Sequence, residues 1–280
     1  MKCGLNFLLW TTHVTEAHLP KAAYLKSLGY DGVEIPIHHT DPAHYAQLGR
    51  QLRELGLGLT ASSALPGAAA DFLSPQATVR QAASDYVRRV IDSAAALGAE
   101  CLIGPLYQAL GVFTGFGPTA AERARAADAL RPLAAHAADA GLAIFLEPLN
   151  RFECHLVNTT QSGLELVEEI QHPAMGVMFD TFHANIEEKS PLETIRHYAS
   201  RIGHVHISEN DRGAPGAGHL PLRDSLRAFL ENGYDGWFVV EAFGTALPDL
   251  AAATRCWRPT FTSENEVCEA GIRLMQSARA

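Results

Sequence analysis

The stretch GHVHISENDR, residues 203–212, combines the pattern of a β-strand with a dense polar cluster. Val205 and Ile207 fall on one face of such a strand, because successive side chains alternate. The other face carries His204 and His206. An ordinary core strand keeps its inward face apolar, since a buried polar group without a partner is costly. The stretch therefore predicts a strand that ends in a binding or catalytic site, or in polar groups that satisfy one another.

Seven similar apolar runs are spaced along the chain, with stretches of helical character between them. The eight predicted strands are residues 3–10, 32–37, 57–63, 101–106, 142–149, 175–182, 202–208 and 236–243. Four helical segments, 18–29, 77–98, 120–141 and 222–233, close on a glycine suited to a left-handed C-cap. Eight strand-then-helix units predict an α/β fold, a single-domain (β/α)8 TIM barrel over residues 1–280. A doubly wound open sheet is the alternative, but it usually has fewer strands, and no GxGxxG follows the first strand.

Composition narrows the classes of protein to which the chain can belong. Its 280 residues are 47% hydrophobic and 19% charged, which indicates a globular protein with a large core. The formal charge of −9 argues against nucleic acid as a partner, because nucleic-acid binding normally needs a basic face. A neutral small molecule or a cation suits this charge better.

Cysteine use and hydropathy indicate the compartment. The cysteines are odd in number and form no CxxC pair, so neither a disulfide framework nor a thiolate zinc site is expected. They are Cys3, Cys101, Cys154, Cys256 and Cys268. No apolar run approaches the roughly 20 residues needed to cross a bilayer. We expect a reduced, cytoplasmic protein with no membrane contact.

Four consecutive predicted strands each end in one group that can bind a metal. These groups are Glu147, Asp180, His206 and Glu241. In a TIM barrel the carboxyl ends of the strands carry the chemistry, so the four side chains are expected to converge. Three converging carboxylates repel one another unless a cation lies between them. An oxygen-rich set with one imidazole and no thiolate favours Mn²⁺, Mg²⁺ or Co²⁺ over a structural zinc ion.

Each of three neighbouring residues can be interpreted in two ways. His204 is either a hydrogen-bonded residue of the barrel interior or a partner that supports the ligand His206. Arg212 either belongs to the site or neutralises the adjacent Asp211 or Glu209. His183, three residues after Asp180, is either a site residue or a surface imidazole.

The motifs around these groups resemble a known family. EPLNRFE (147–153), FDTFHANIEE (179–188), GHVHISENDRGAPGAGHLP (203–221) and VVEAF (239–243) occur in this order. They resemble the D-tagatose 3-epimerase family, which includes D-psicose (D-allulose) and L-ribulose 3-epimerases, within the xylose-isomerase-like TIM barrels. The resemblance covers the chain in its order of elements and is most specific over residues 141–243.

The resemblance implies an isomerase that epimerises free ketoses such as D-tagatose, D-fructose, D-psicose or L-ribulose at C3 through a cis-enediolate. It makes Glu147, Asp180, His206 and Glu241 the ligands of a divalent metal, Mn²⁺ first, with Co²⁺ or Mg²⁺ as alternatives. It also makes Glu147 and Glu241 the two catalytic acid/base groups, and implies a homodimer or homotetramer. Its expected substrate-binding residues, at the O1 to O3 end of the ketose, are Glu153, His183 and Arg212.

The walls of the pocket are less constrained by the motifs. The loop GPLYQALGVFTGFGP (104–118) departs from better-known members, which have a Gly-Gly pair and a Trp there. Contacts to the far end of the sugar are therefore expected to differ. The strand ends predict further pocket walls at Phe7, Trp10 and Phe243, together with Glu34, Ser63 and Leu106.

Three other functions compete with this interpretation. An aldose–ketose isomerase of the hydroxypyruvate-isomerase type would share the barrel and the carboxylates. A metal phosphoesterase resembling endonuclease IV would need more histidine ligands and a basic face, which the charge of −9 disfavours. A non-catalytic sugar-binding barrel would not need a carboxylate on each side of its ligand.

Overall fold

The computed structural model, which describes residues 1–279, contains a closed barrel of eight parallel strands. Each strand pairs with its neighbours in chain order, and β1 pairs with β8 to close the ring. The predicted (β/α)8 barrel is confirmed. The strands are β1 Lys2–Asn6, β2 Gly32–Pro36, β3 Gly58–Ser62, β4 Cys101–Gly104, β5 Ala143–Leu146, β6 Met175–Asp180, β7 Ile202–Ile207 and β8 Trp237–Val240.

Ten helices connect and cover the strands over the described range. They are α1 Leu19–Leu28, α2 Pro42–Glu54, α3 Ala77–Leu97, α4 Ala120–Asp139, α5 Thr160–Ile170, α6 Thr181–Glu187, α7 Pro191–Tyr198, α8 Leu222–Glu231, α9 Pro248–Thr254 and α10 Glu264–Arg279. Helix α1 ends on Gly29 with a left-handed backbone, φ 99°, as the sequence predicts. Helix α4 begins with a capping box in which Thr119 and Glu122 bond each other's backbone. None of the helices described here is long and apolar enough to cross a membrane.

The observed strands are shorter than the predicted ones, and the difference matters most at β1. The prediction extends this strand to Trp10, but β1 ends at Asn6. The side-chain oxygen of Asn6 accepts a hydrogen bond from the Leu8 backbone N–H at 2.8 Å, which starts a 3-10 turn over Phe7–Leu9. The two-residue alternation of a strand is therefore lost after Asn6.

The strands separate two apolar regions. The larger region lies between the strands and the helices, and it includes Val33, Leu102 and Val177. A small separate cluster is formed by alternate residues of β4 to β6, namely Cys101, Ile103, Met178 and Phe145. Because side chains of a strand alternate, this second cluster lies inside the barrel.

The indole of Trp237 fills the amino-terminal end of the barrel. A Cβ atom on Gly32 would lie 2.4 Å from this ring, and one on Gly58 would lie 2.8 Å from it. Because glycine has no side chain, Gly32 and Gly58 leave room for this ring. Trp237 also donates its indole N–H to Glu100 at 3.0 Å.

We predict that Gly32→Ala destabilises the barrel. The new methyl would lie 2.4 Å from both the Gly58 carbonyl oxygen and the Trp237 ring, so one of them must move. Overpacking of this kind typically costs about 1–3 kcal/mol. The midpoint of thermal unfolding, followed by circular dichroism, is expected to fall by roughly 2–10 °C.

Gly117→Ala is the matched control, because a Cβ there meets no described heavy atom within 4 Å. Its melting temperature is expected to stay at the wild-type value. Equal melting temperatures for the two variants would contradict the role given to the Trp237 contact.

Candidate active site

A cavity of about 510 Å³ opens at the carboxyl ends of the strands. Such a volume lies in the usual range for small-molecule sites. Its lining includes seven residues that the sequence analysis selected: Ser63, Glu147, Glu153, His183, Arg212, Glu241 and Phe243. The motifs therefore meet at one end of the barrel, where the chemistry of this fold is found.

Four acidic and imidazole groups converge below this cavity. Glu147 and Glu241 directly follow β5 and β8, Asp180 ends β6, and His206 is the penultimate residue of β7. One donor atom from each of the four lies within 4.8 Å of the others, and all four residues are buried. The structure thus brings together the groups that the strand ends predicted.

The donor set fits a divalent cation. Three carboxylates supply the hard oxygen ligands that Mn²⁺ and Mg²⁺ prefer, one imidazole adds a nitrogen, and no thiolate is present in the group. His206 Nδ1 is buried without a hydrogen-bond partner among the described residues. It lies 3.4 Å from Glu241 Oε1 and 3.8 Å from Asp180 Oδ2. A nitrogen left without a partner beside two carboxylate oxygens is suited to coordinate an ion shared with them.

Arg212 is the cationic side chain in direct contact with the cluster. Its Nη1 donates to Asp180 Oδ2 at 3.0 Å and to Glu241 Oε2 at 2.8 Å. The guanidinium lies 3.9 Å from the ring centre of Phe182 and 4.9 Å from that of Phe243. The Arg212 backbone is left-handed, φ 62°, which is uncommon for a residue other than glycine. Contacts with the two rings and hydrogen bonds to Asp180 and Glu241 therefore hold the charge against the carboxylates.

The pKa values of two carboxylates in the cluster, Glu147 and Asp180, are shifted in opposite directions. Burial raises the pKa of Glu147 well above its ordinary value, and the negative charge of Glu241 raises it further. Burial would also raise the pKa of Asp180, but the Arg212 guanidinium together with the nearby His206 and His183 outweighs it and keeps this pKa well below its usual range. Asp180 therefore stays ionised, while Glu147 readily holds a proton when no cation is present.

His183 is a buried part of the site and not a surface imidazole. Its Nδ1 lies 3.0 Å from the backbone N–H of Asn150 and its Nε2 lies 2.9 Å from Arg212 Nη2, so an N–H donor faces each ring nitrogen. Burial, followed by the charge of the Arg212 guanidinium, lowers the pKa of His183 to about 3. Nε2 of this neutral ring also lies 3.6 Å from Glu147 Oε1. His183 thus connects Asn150, Arg212 and Glu147 at the cavity surface.

Glu153 reaches the same region from the loop after β5. Its carboxylate accepts a hydrogen bond from the Asn150 side-chain amide at 2.8 Å. Burial raises its pKa, and the nearby Arg212 charge only partly offsets this effect. Asn150 therefore positions both Glu153 and His183 at the cavity.

The structure decides the two other open alternatives. Arg212 does not neutralise Glu209 or Asp211: Glu209 instead accepts the backbone N–H groups of Gly216 and Leu220, at 2.9 and 3.0 Å. This buried carboxylate holds the loop that carries Arg212 in place. His204 belongs to the barrel interior, with Nδ1 3.6 Å from Cys101 Sγ.

Phe243 and Ser63 line the cavity as predicted, but other predicted wall residues do not. Phe7 is fully buried in the core, and Trp10 packs against its ring at 5.1 Å. The 3-10 turn after β1 instead presents Leu8 to the cavity. Glu34 is buried beneath the site. Leu106 is also buried, and its neighbour Pro105 lines the cavity together with Leu110.

The sequence analysis missed part of the cavity wall. Short helix α9 follows β8 and contributes Asp249, Leu250, Ala253 and Thr254, while Thr12 and His38 come from the loops after β1 and β2. No strand-end signal marks these residues, because they lie away from the strands. Glu34 did carry a signal: a charged residue in the middle of the apolar strand GVEIP requires buried partners.

Comparison with known proteins agrees with the fold and the motifs. Residues 22–274 match the family described as xylose isomerase-like TIM barrel. The chain belongs to this family. A ketose 3-epimerase of Arthrobacter globiformis is 33% identical over 272 residues, which cover 95% of this chain and 93% of the relative. L-ribulose 3-epimerase of Methylomonas sp. (strain DH-1) is 30% identical over 280 residues, or 99% of this chain and 97% of the relative.

Solved structures give the same relationship. D-allulose 3-epimerase from Methylomonas sp., crystallised in complex with D-allulose, superposes with a TM-score of 0.91 at 29% identity. The match covers 99% of this chain and 97% of that chain. The resemblance to ketose 3-epimerases expected from the motifs is confirmed.

We predict that Mn²⁺ raises the melting temperature of the metal-stripped protein. A ligand bound only by the folded state stabilises it by about 2.7 kcal/mol at a concentration 100 times its dissociation constant. For a chain of this size, that corresponds to a rise of roughly 5–10 °C. Differential scanning fluorimetry with and without the cation measures it.

Asp180→Asn should abolish most of this rise, because it removes a charge from the cluster. The matched control is Asp224→Asn, which removes an exposed charge from the first turn of α8. A full Mn²⁺-dependent rise in Asp180→Asn would exclude this group of residues as the cation site.

Proposed function

We propose that this protein is a metal-dependent ketose 3-epimerase that acts on free ketoses. One observation carries the proposal: within the cation group, only Glu147 and Glu241 also line the cavity. Asp180 and His206 are almost completely buried below them. The site therefore divides into two groups that only hold a cation and two that also reach a substrate.

Epimerisation at C3 requires that a proton leave one face of the carbon and that another arrive on the opposite face. Glu147 follows β5 and Glu241 follows β8, three strands further around the ring. The two carboxylates therefore approach a bound sugar from different sides. One acts as the base while the other, protonated, acts as the acid, and their roles exchange with the direction of the reaction.

The proton at C3 is weakly acidic, so the charge that develops at the C2 oxygen must be stabilised. When bound by Glu147, Asp180, His206 and Glu241, a divalent cation supplies Lewis-acid stabilisation at that oxygen. We propose Mn²⁺, with Co²⁺ or Mg²⁺ as alternatives.

The hydrogen-bonding groups near the cluster suit the O1 to O3 end of the ketose. Arg212 presents N–H donors there, Glu153 presents a carboxyl group, and the neutral His183 presents a ring nitrogen. Their positions are fixed by buried contacts, so they can orient the sugar without rearrangement.

The cavity lining favours an unphosphorylated sugar. Among the described residues that line it, Arg212 is the only lysine or arginine, and its Nη1 is already bonded to Asp180 and Glu241. The outer wall is largely apolar, with Leu65, Leu110 and Leu250. A phosphate at the far end of the sugar would lack the cationic partner that such groups usually have.

We propose a homodimer or homotetramer that works in the cytoplasm, as the resemblance and the cysteine use imply. Phe113, Phe116 and Phe152 expose large apolar side chains, which is consistent with a covered surface. Light scattering coupled to size-exclusion chromatography measures the number of copies.

We predict that a free ketohexose such as D-fructose or D-tagatose, incubated in D₂O with the Mn²⁺-loaded protein, yields its C3 epimer with deuterium at C3. The returning proton comes from a second carboxylate, so it exchanges with solvent. Nuclear magnetic resonance of the product locates the deuterium. The 6-phosphate of the same sugar is the matched substrate control and is expected to react at least about tenfold more slowly.

The position of the label separates the competing functions. Deuterium at C1 or C2 together with an aldose product would identify an aldose–ketose isomerase and overturn the proposal. A phosphoesterase or a binding protein would incorporate no deuterium into the sugar.

We predict that Glu147→Gln and Glu241→Gln each lower kcat by about 10² to 10⁴, because each removes the acid/base group of one face. Bound metal is measured in the same samples to separate loss of chemistry from loss of the cation. Glu122→Gln, which changes a buried carboxylate that does not line the cavity, is the control expected to stay active. More than about a tenth of wild-type turnover in either variant would contradict the two-carboxylate mechanism.

A further inference from the structure

Glu34 is a fully buried carboxylate that takes no direct part in the proposed reaction. It lies in β2 and has no exposed surface. It neither lines the cavity nor belongs to the group formed by Glu147, Asp180, His206 and Glu241. A buried charge at the centre of a strand needs a structural or functional reason.

Both oxygens of Glu34 have buried partners. Oε1 accepts hydrogen bonds from His206 Nε2 at 2.7 Å and from the Asn6 side-chain amide at 2.9 Å. Oε2 accepts the Thr60 hydroxyl at 2.9 Å. His204 Nε2 also lies 3.0 Å from Oε2, without the alignment of a hydrogen bond. The short bond to His206 is the one that connects Glu34 to the cation group.

The hydrogen bond of Asn6 to the turn after its own strand determines which side of its amide group faces Glu34. The side-chain oxygen of Asn6 is already used by the Leu8 backbone N–H at 2.8 Å. Its NH₂ group must therefore face Glu34, and it also lies 3.5 Å from Glu241 Oε1. Glu34 therefore accepts hydrogen bonds from side chains of β1, β3 and β7. The Asn6 amide, the Thr60 hydroxyl and the His206 ring can only act as donors toward this carboxylate.

The contact with Glu34 determines how His206 presents its ring. A carboxylate only accepts hydrogen bonds, so Nε2 must carry a proton. The other nitrogen, Nδ1, points into the cluster, 3.4 Å from Glu241 Oε1. In metal sites a ligand histidine usually donates its second ring N–H to a carboxylate, which fixes the ring and increases its basicity.

Glu34, His204 and His206 could themselves be a second cation site, since their donor atoms also lie close together. The distances argue against it. Two ligands about 2.1 Å from one ion lie about 3 Å or more apart. The 2.7 Å separation of Glu34 Oε1 and His206 Nε2 is shorter and is that of a hydrogen bond.

We propose that Glu34 is a positioning residue for the cation site: through His206 Nε2 it holds the ring so that Nδ1 coordinates the ion. This inference rests on the cation site of the proposed function. It requires that Glu34 control the affinity for the cation while contacting neither the cation nor the sugar.

The test measures Mn²⁺ dissociation constants of metal-stripped variants from the electron paramagnetic resonance signal of free Mn²⁺. Glu34→Asp keeps the charge but shortens the side chain by one methylene, so it no longer reaches His206. Glu34→Gln keeps the length and removes the charge. Each is expected to weaken Mn²⁺ binding by about 10- to 100-fold. Glu122→Gln, another buried carboxylate, is expected to keep the wild-type constant.

The visible absorption spectrum of the Co²⁺-loaded protein is a second readout, because it responds to the ligands around the ion and not to stability. It should change in the Glu34 variants and not in Glu122→Gln. Wild-type Mn²⁺ affinity in either folded Glu34 variant would overturn the role of Glu34 and leave the cation site intact. Absence of Mn²⁺ binding by the wild-type protein would overturn both. If one variant does not fold, the other decides the question.

Discussion

The mutual repulsion of three buried carboxylates is the constraint on which the rest of this site depends. Glu147, Asp180 and Glu241 each place an oxygen in the same small volume. Like charges at this spacing cannot all remain ionised unless positive charge is supplied. The chain supplies part of it with Arg212, which donates to Asp180 and Glu241. A divalent cation in the same volume would compensate the remaining negative charge. The unpartnered Nδ1 of His206 lies beside these carboxylates.

The arrangement of the barrel explains how the chain tolerates so much buried charge. Every group of the cluster comes from the end of a different strand, so backbone hydrogen bonds of the closed sheet hold the repelling side chains in place. The layer below is also polar, with Glu34, Thr60 and His204 bonded or in close contact with one another. The hydrogen bonds that Glu34 accepts from Asn6, Thr60 and His206 fix the orientation of its side chain, because a buried carboxylate without partners would be costly.

The same arrangement separates the tasks within the site. Asp180 and His206 are buried and bonded from several sides, whereas Glu147 and Glu241 reach the cavity. The two carboxylates that we propose as acid and base are thus the members of the cluster that line the cavity. Outside the strands, helix α9 and the loop after β4 complete the cavity wall, with Leu250 and Ala253 from the helix and Pro105 and Leu110 from the loop.

The sequence by itself determined the barrel and the cluster, since both depend on local patterns repeated at regular spacing. Eight apolar runs with helices between them specify a closed parallel sheet, and the groups at the strand ends then meet because the strands are parallel. Only the three-dimensional structure showed where β1 ends, which residue after it faces the cavity, and which side chains of distant strands are in contact. Asn6 ends β1 early through a side-chain hydrogen bond, which places Leu8 and not Phe7 at the cavity. Glu34 and His206 are 172 residues apart, so their contact exists only when the ring of strands has closed.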